Sequence, residues 1–244
     1  MRGRFVSLSP ARKFIIDLTA LPVPSVPVQR VMNLASVVEA RAAANPRPAW
    51  SAIFAKAYAL VADEVPLLRR AYIKLPSPRL YEYPKSTVSI AVEREHEGEM
   101  IVLTKLVRDP SLLSLAELSA AIRAAQTEPL ESDKNYRRIV ALARLPAALR
   151  RAVWWLGLNI GRQRGNYFGT FGVTVYSSLG AESLHPLSPL TALVNYGVIG
   201  ADGKVAVRIM YDHRVLDGAM VARVLEKMER RLTGDLVAEM KALR

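Results

Sequence analysis

Between Val205 and Leu232 the hydrophobic period changes from two to about 3.6 within a few residues. Val205, Val207, Ile209 and Tyr211 share one face by period-two counting, which predicts a strand that ends by delivering His213 on that face. From Ala219 the apolar positions become Val221, Val224, Leu225, Met228 and Leu232, which predicts an amphipathic helix ended by Gly234. Just before this unit, Leu190 to Ile199 reads as a buried strand and Ala201-Asp202-Gly203-Lys204 as a hairpin turn. This unit therefore reads as a pair of strands followed at once by a helix.

The rest of the chain supplies more of both elements. Val28 to Met32 predicts a strand, and Asn33 can cap a helix over 34–44. After Pro48 a second helix places Trp50, Ile53, Phe54, Ala57, Tyr58 and Val61 on one side. Ala71 to Leu75 predicts a strand, and residues 79–107 read as strands joined by a turn at His96-Glu97-Gly98-Glu99, with His96 solvated there. Ser114-Leu115-Ala116-Glu117 is a capping box opening a helix to about Gln126. The whole chain, 1–244, is read as one α/β domain, an α+β two-layer arrangement of a mixed sheet covered by helices.

Composition removes several kinds of chemistry. There is no cysteine, so disulfides, thiolate metal sites and cysteine nucleophiles are excluded. His96, His185 and His213 are too scattered for a metal cluster, and His185 reads as a loop residue. No signal peptide or spanning segment is evident, so a cytoplasmic chain is expected, soluble or peripheral at the inner face of the membrane. The net charge of +12 points to an anionic partner.

Much of that charge is local. From Tyr136 to Asn166 there are seven arginines and no acidic residue, interleaved with Leu, Val and Trp. This insert, at about 134–166, predicts basic amphipathic helices on either side of Pro146, ending near Gly161. Arg150, Arg151, Trp154 and Trp155 are its candidates for contact with a substrate or an anionic membrane surface. The alternative is packing of the apolar face on its own domain or on an oligomer partner. Nucleic-acid binding is disfavoured, because no nucleic-acid motif accompanies the charge.

The stretch Tyr211-Asp212-His213-Arg214-Val215-x-Asp217-Gly218-Ala219 holds an imidazole at a strand end, and a fixed imidazole is a good general base. It closely resembles the active-site motif of the 2-oxoacid dehydrogenase acyltransferases (dihydrolipoamide acyltransferases), whose His-x-x-x-Asp-Gly core also occurs in chloramphenicol acetyltransferase. Gly169-Thr170-Phe171, the alternating strand after it and Ser177-Ser178-Leu179-Gly180 resemble a second segment of that family. The resemblance follows element order over nearly the whole chain and is specific over 168–180 and 205–232.

The resemblance implies a chloramphenicol acetyltransferase-like fold and a coenzyme A thioester as substrate, with no metal and no covalently bound lipoate. It implies His213 as general base and Ser178 as oxyanion donor. It implies Asp217 as a residue that ties the loop to an arginine elsewhere, with Arg12 and Arg30 as candidates. Asp212 and Arg214 are expected to position the loop, and Gly218 to let the chain turn tightly into the helix. The family builds homotrimers, sometimes larger assemblies, in which His of one subunit faces Ser of the next. Nothing in the sequence resembles a lipoyl or peripheral-subunit binding domain, so a free-standing acyltransferase is expected. The competing expectation is a non-catalytic trimeric scaffold or membrane-surface module that keeps the fold.

Overall fold

In a computed structural model the described residues are Pro10, Lys13, 23–96, 98–175 and 180–243. Their elements run β1 (Ser25–Asn33), α1 (Ala35–Ala43), α2 (Trp50–Glu64), β2 (Arg70–Ile73), β3 (Arg79–Glu82), β4 (Thr87–His96), β5 (Glu99–Arg108) and α3 (Leu115–Thr127). Then come α4 (Lys134–Ala143), α5 (Ala147–Asn159), α6 (Gly161–Tyr167), β6 (Phe171–Val175), β7 (Ala192–Tyr196), β8 (Lys204–Asp212), α7 (Gly218–Thr233) and α8 (Asp235–Lys241). Six strands form one sheet in the order β1-β8-β7-β6-β4-β5. The β4–β6 and β6–β7 pairs are parallel and the others antiparallel, so the sheet is mixed.

One face of this sheet carries the main core. Val88, Ile90, Phe171, Val173, Val194, Val207, Ile209 and Tyr211 pack there against α2, α3 and α7. The capping box holds, whereas Asn33 does not cap α1: Leu34 takes the N-cap position, with no side-chain cap bond. Ser114 and Glu117 make the reciprocal bonds of a capping box, and Asn33 Oδ1 accepts from Ala35 N–H at 3.3 Å. Helix α2 departs from its pattern. It is buried nearly all round, including Ala52, Ala55, Ala59 and Ala62, because α7 and α3 flank it while the sheet lies beneath. The strand expected at 71–75 forms as β2, Arg70–Ile73. It pairs with β3 in a separate two-stranded sheet and never joins the main one.

The second face of the sheet is less apolar. Cross-strand register brings Thr174, Asn195, Arg208 and Gln29 into one row over β6, β7, β8 and β1. Asn195 Nδ2 donates to the Thr174 carbonyl at 3.0 Å, and Arg208 donates to Gln29 Oε1 and to Glu182. Burial of Asn195 Nδ2 and of the Arg208 guanidinium is tolerated because each is hydrogen-bonded, while Asn195 Oδ1 is buried without a hydrogen-bond partner among the described residues.

The basic insert forms α4, α5 and α6, and its helical structure passes beyond Gly161 to Tyr167. It lies against β5 and the β2–β3 sheet. Ile139 packs with Ile101, Leu103 and Leu130. His96, expected in solvent, instead ends β4, and its Nε2 lies 2.6 Å from the Tyr136 hydroxyl at the start of α4. Two glycines explain how α6 sits so close. A Cβ at Gly161 would lie 2.4 Å from the Tyr81 ring, and one at Gly165 2.6 Å from the Tyr83 ring. Tyr83 also donates to the Gly161 carbonyl at 2.9 Å. Replacing both glycines by alanine should therefore destabilise the protein by about 1–3 kcal/mol through overpacking, against the gain alanine usually brings to a helix. Urea unfolding measures this, and a raised midpoint would contradict the packing described.

Candidate active site

The β1–β8 ladder sets the position of the strand-end histidine. Asp212 stands opposite Ser25, and the pairing runs one rung further, with His213 N–H donating to the Pro24 carbonyl at 3.0 Å. On its other side Asp212 N–H donates to the Thr191 carbonyl at 2.9 Å. The chain then folds over tightly. Val215 and Leu216 N–H groups both donate to the Asp212 carbonyl, at 2.9 and 3.1 Å.

The Asp212 side chain is fully buried and is held by Arg214 alone among the described residues. Oδ1 accepts from Arg214 N–H at 3.0 Å and from Nε at 2.9 Å, while Oδ2 accepts from Nη2 at 2.8 Å. This two-pronged pair matches a planar guanidinium to a carboxylate. Arg214 also lies over the Tyr72 ring, 4.4 Å from its centroid.

A second arginine comes from the insert. Arg164, 4% exposed, donates to the Tyr72 carbonyl at 3.0 Å and to the Pro189 carbonyl at 2.6 Å. Burial pushes its guanidinium below the ordinary arginine value, while Tyr83 and the Asp212 carboxylate act to hold it up. Tyr72 thus joins the insert to the turn that carries His213.

The His213 ring is about half in solvent, beside the Tyr211 ring at a centroid distance of 5.6 Å. Burial, and then the Asp217 carboxylate, push the Tyr211 phenol above its ordinary value, so it stays protonated at neutral pH. Asp217 Oδ1 is 3.8 Å from His213 Nδ1, too long for a hydrogen bond and within ion-pair range once the ring is protonated.

Asp217 does not take the place expected of it. Its side chain is 86% exposed, and no arginine among the described residues meets it. Arg30 bonds Glu229 of α7 at 2.7 Å instead, because the β1–β8 pairing carries it along the sheet away from the turn. Arg12 and Ser178 lie outside the described residues. Gly218 opens α7 without positive φ, so the tight-turn expectation gives way to a steric one. A Cβ there would come within 3.3 Å of the Tyr211 hydroxyl.

The 181–190 loop reaches the same place. His185 Nε2 lies 2.8 Å from Ser25 Oγ, and Arg164 holds Pro189. At its start Glu182 accepts from Arg208 at 2.7 Å and from Val198 N–H at 3.2 Å. Sequence reasoning missed Arg164, Tyr72, Glu182 and Arg208. Only Arg208 gave a signal, as a charge inside an apolar strand.

The four insert candidates separate. Trp154 is buried against Phe168, with ring centroids 5.2 Å apart, while Trp155 is exposed. Arg150 donates to the Leu145 carbonyl at 3.2 Å, and Arg151 is exposed. No cluster of three or more His, Asp or Glu that could hold a metal occurs among the described residues. Nor is any helix there long and apolar enough to cross a membrane.

The hydrogen bond from Arg208 holds the Glu182 carboxylate below its ordinary value. A depressed carboxylate stabilises the fold at pH above its unfolded value of about 4.3, and that contribution fades as pH falls through the lowered folded value. Glu182→Gln should flatten this acid loss of stability, read by thermal unfolding between neutral pH and pH 3. An unchanged acid limb would contradict the assignment.

No protein-family model matches the chain, and no curated protein matches it. Solved structures do match over nearly its full length. The dihydrolipoamide acetyltransferase of Azotobacter vinelandii, in which a serine, a histidine and an asparagine have been investigated in the catalytic mechanism, is 17% identical. The match covers 96% of this chain and 93% of that one, at a TM-score of 0.67. A truncated catalytic core of the 2-oxoacid dehydrogenase multienzyme complex from Thermoplasma acidophilum is 19% identical over 95% and 99%, at 0.67. A chloramphenicol acetyltransferase is 12% identical over 93% and 96%, at 0.55. The chain therefore has the fold of these acetyltransferases, as its motifs led one to expect.

Proposed function

We propose that this protein is an acyltransferase that moves an acyl group from a coenzyme A thioester, or a related thioester, to an acceptor. The observation that carries the reading is the placement of His213. Its backbone is fixed by the β1–β8 ladder and by the turn around buried Asp212, while its ring stands in solvent on a fold shared with acetyltransferases. A rigid mount with an accessible ring suits proton transfer.

In the proposed reaction His213 Nε2 takes the proton of the acceptor hydroxyl, thiol or amine as that atom attacks the thioester carbonyl. Ser178 donates a hydrogen bond to the oxyanion of the tetrahedral intermediate. The carbon–sulfur bond then breaks, and the coenzyme A thiolate takes the proton from the imidazolium. No acyl-enzyme forms, and neither metal nor bound lipoate takes part. Asp217, screened by water, has a minor electrostatic effect on the imidazolium. Asp212 and Arg214 position the turn. The active site lies between subunits of a homotrimer, His213 of one meeting Ser178 of the next. The catalytic-core and acetyltransferase structures that share the fold support this reading.

Coenzyme A release from a panel of acyl thioesters, with thiol, hydroxyl and amine acceptors, tests it. His213→Ala should lower turnover by at least about 10²-fold without altering unfolding, because the ring is half exposed. Equal release by both proteins would contradict the reading. Light scattering should give three times the chain mass of 26.9 kDa.

One observation favours a second reading, a trimeric scaffold or a module peripheral to a membrane. Leu149 and Trp155 stand exposed beside the arginines of α5. Cosedimentation with anionic phospholipid vesicles at moderate salt separates the two, since the enzyme reading requires no such binding.

A further inference from the structure

We propose that the groove between α4, α5 and α6 receives the hydrocarbon chain of the acyl thioester, so that the insert selects substrates with long acyl groups. This rests on the acyl-transfer reading and deepens it.

The groove has a volume of about 470 Å³. Leu142, Val153, Leu156, Ile160 and Phe168 give it apolar walls, and no acidic residue lines it. Val153, Leu156 and Ile160 remain exposed at these walls, an apolar strip left in water that a ligand would cover. At about 30 Å³ per water-sized group, the space takes a chain on the order of ten carbons or more. Such chains arrive on an anionic carrier. Arg138, stacked over Tyr167 at 5.0 Å, lines the groove, and the surrounding insert is rich in arginine, so its long-range field raises the local concentration of an anionic thioester of any chain length.

The groove also leads somewhere. A second cavity of about 290 Å³ shares Thr104 and Phe168 with it and lies between the sheet and the 183–190 loop. Its walls include Thr174 of β6 and Leu190. Leu190 is followed by Thr191, whose carbonyl accepts the N–H of Asp212, so the lining of this second cavity is one residue from a contact with the turn that carries His213. Phe168, packed on Trp154, stands between the two spaces. A chain entering the groove past Phe168 would thus point its thioester end toward the proposed base.

The test is calorimetric binding of coenzyme A, acetyl-coenzyme A and dodecanoyl-coenzyme A to the full chain carrying His213→Ala, which prevents turnover during titration. Each buried methylene strengthens binding about fourfold, so the dodecanoyl thioester should bind at least about 50-fold more tightly than the acetyl one. Leu156→Asp, at an exposed position where the fold is not at stake, should shrink that ratio below about fivefold and leave acetyl-coenzyme A binding unchanged. A ratio that survives Leu156→Asp overturns the groove assignment while acyl transfer stands. A ratio that depends on Leu156, in a wild-type protein that turns over no thioester with any acceptor, overturns acyl transfer and leaves the groove as a chain-binding site. A dodecanoyl thioester that binds no more tightly than acetyl-coenzyme A, at high and at low protein concentration alike, overturns the proposal.

Discussion

A carboxylate with no exposed surface governs the geometry of the candidate site. Asp212 ends β8 on the face of the sheet opposite Tyr211, and a charge buried there without a partner would be costly. Arg214 removes that cost only if the chain doubles back within two residues, which is what the two hydrogen bonds to the Asp212 carbonyl record. The turn is therefore not free to vary, and His213, between the two charged residues, has one place to be. Register adds to this. A slip of one residue in the β1–β8 pairing would put Asp212 into the apolar layer under α2 and α7 and drive the imidazole to the other face.

Where only one face of an element is buried, its pattern was readable. The stripe of α7 and the capping box of α3 fall in this class, while β8, buried on both faces, was readable because one face is apolar and the other carries Arg208 and Asp212. Where both faces are covered the pattern disappears, as in α2, whose small residues pack as fully as its aromatic ones. Long-range ion pairs leave no trace in local spacing. Arg30 and Glu229 meet because β1 lies under α7, and nothing near either residue announces it. Arg164 was hidden for another reason. Among seven arginines in one basic segment, the buried one that reaches Tyr72 and Pro189 looks like the solvated ones.

The insert is consequently more than a charged appendage. Its last helix is seated by two glycines against Tyr81 and Tyr83, and its buried arginine braces both the 181–190 loop and the strand under Arg214. Contacts of this kind make the shape of the insert and the shape of the histidine turn interdependent, since moving α6 would leave a buried guanidinium without its acceptors. The same segment presents an apolar groove on one side and arginines around it. The proposed acyl-chain groove accounts for both features.

The central claim is that His213 acts on a thioester together with Ser178 of a neighbouring subunit. Coexpression of His213→Ala chains with Ser178→Ala chains tests it most directly. Each variant alone should be inactive or nearly so. In randomly mixed trimers one interface in four pairs an intact His213 with an intact Ser178, so activity should return to about a quarter of wild type. Mixed trimers no more active than either parent would contradict an active site shared between subunits.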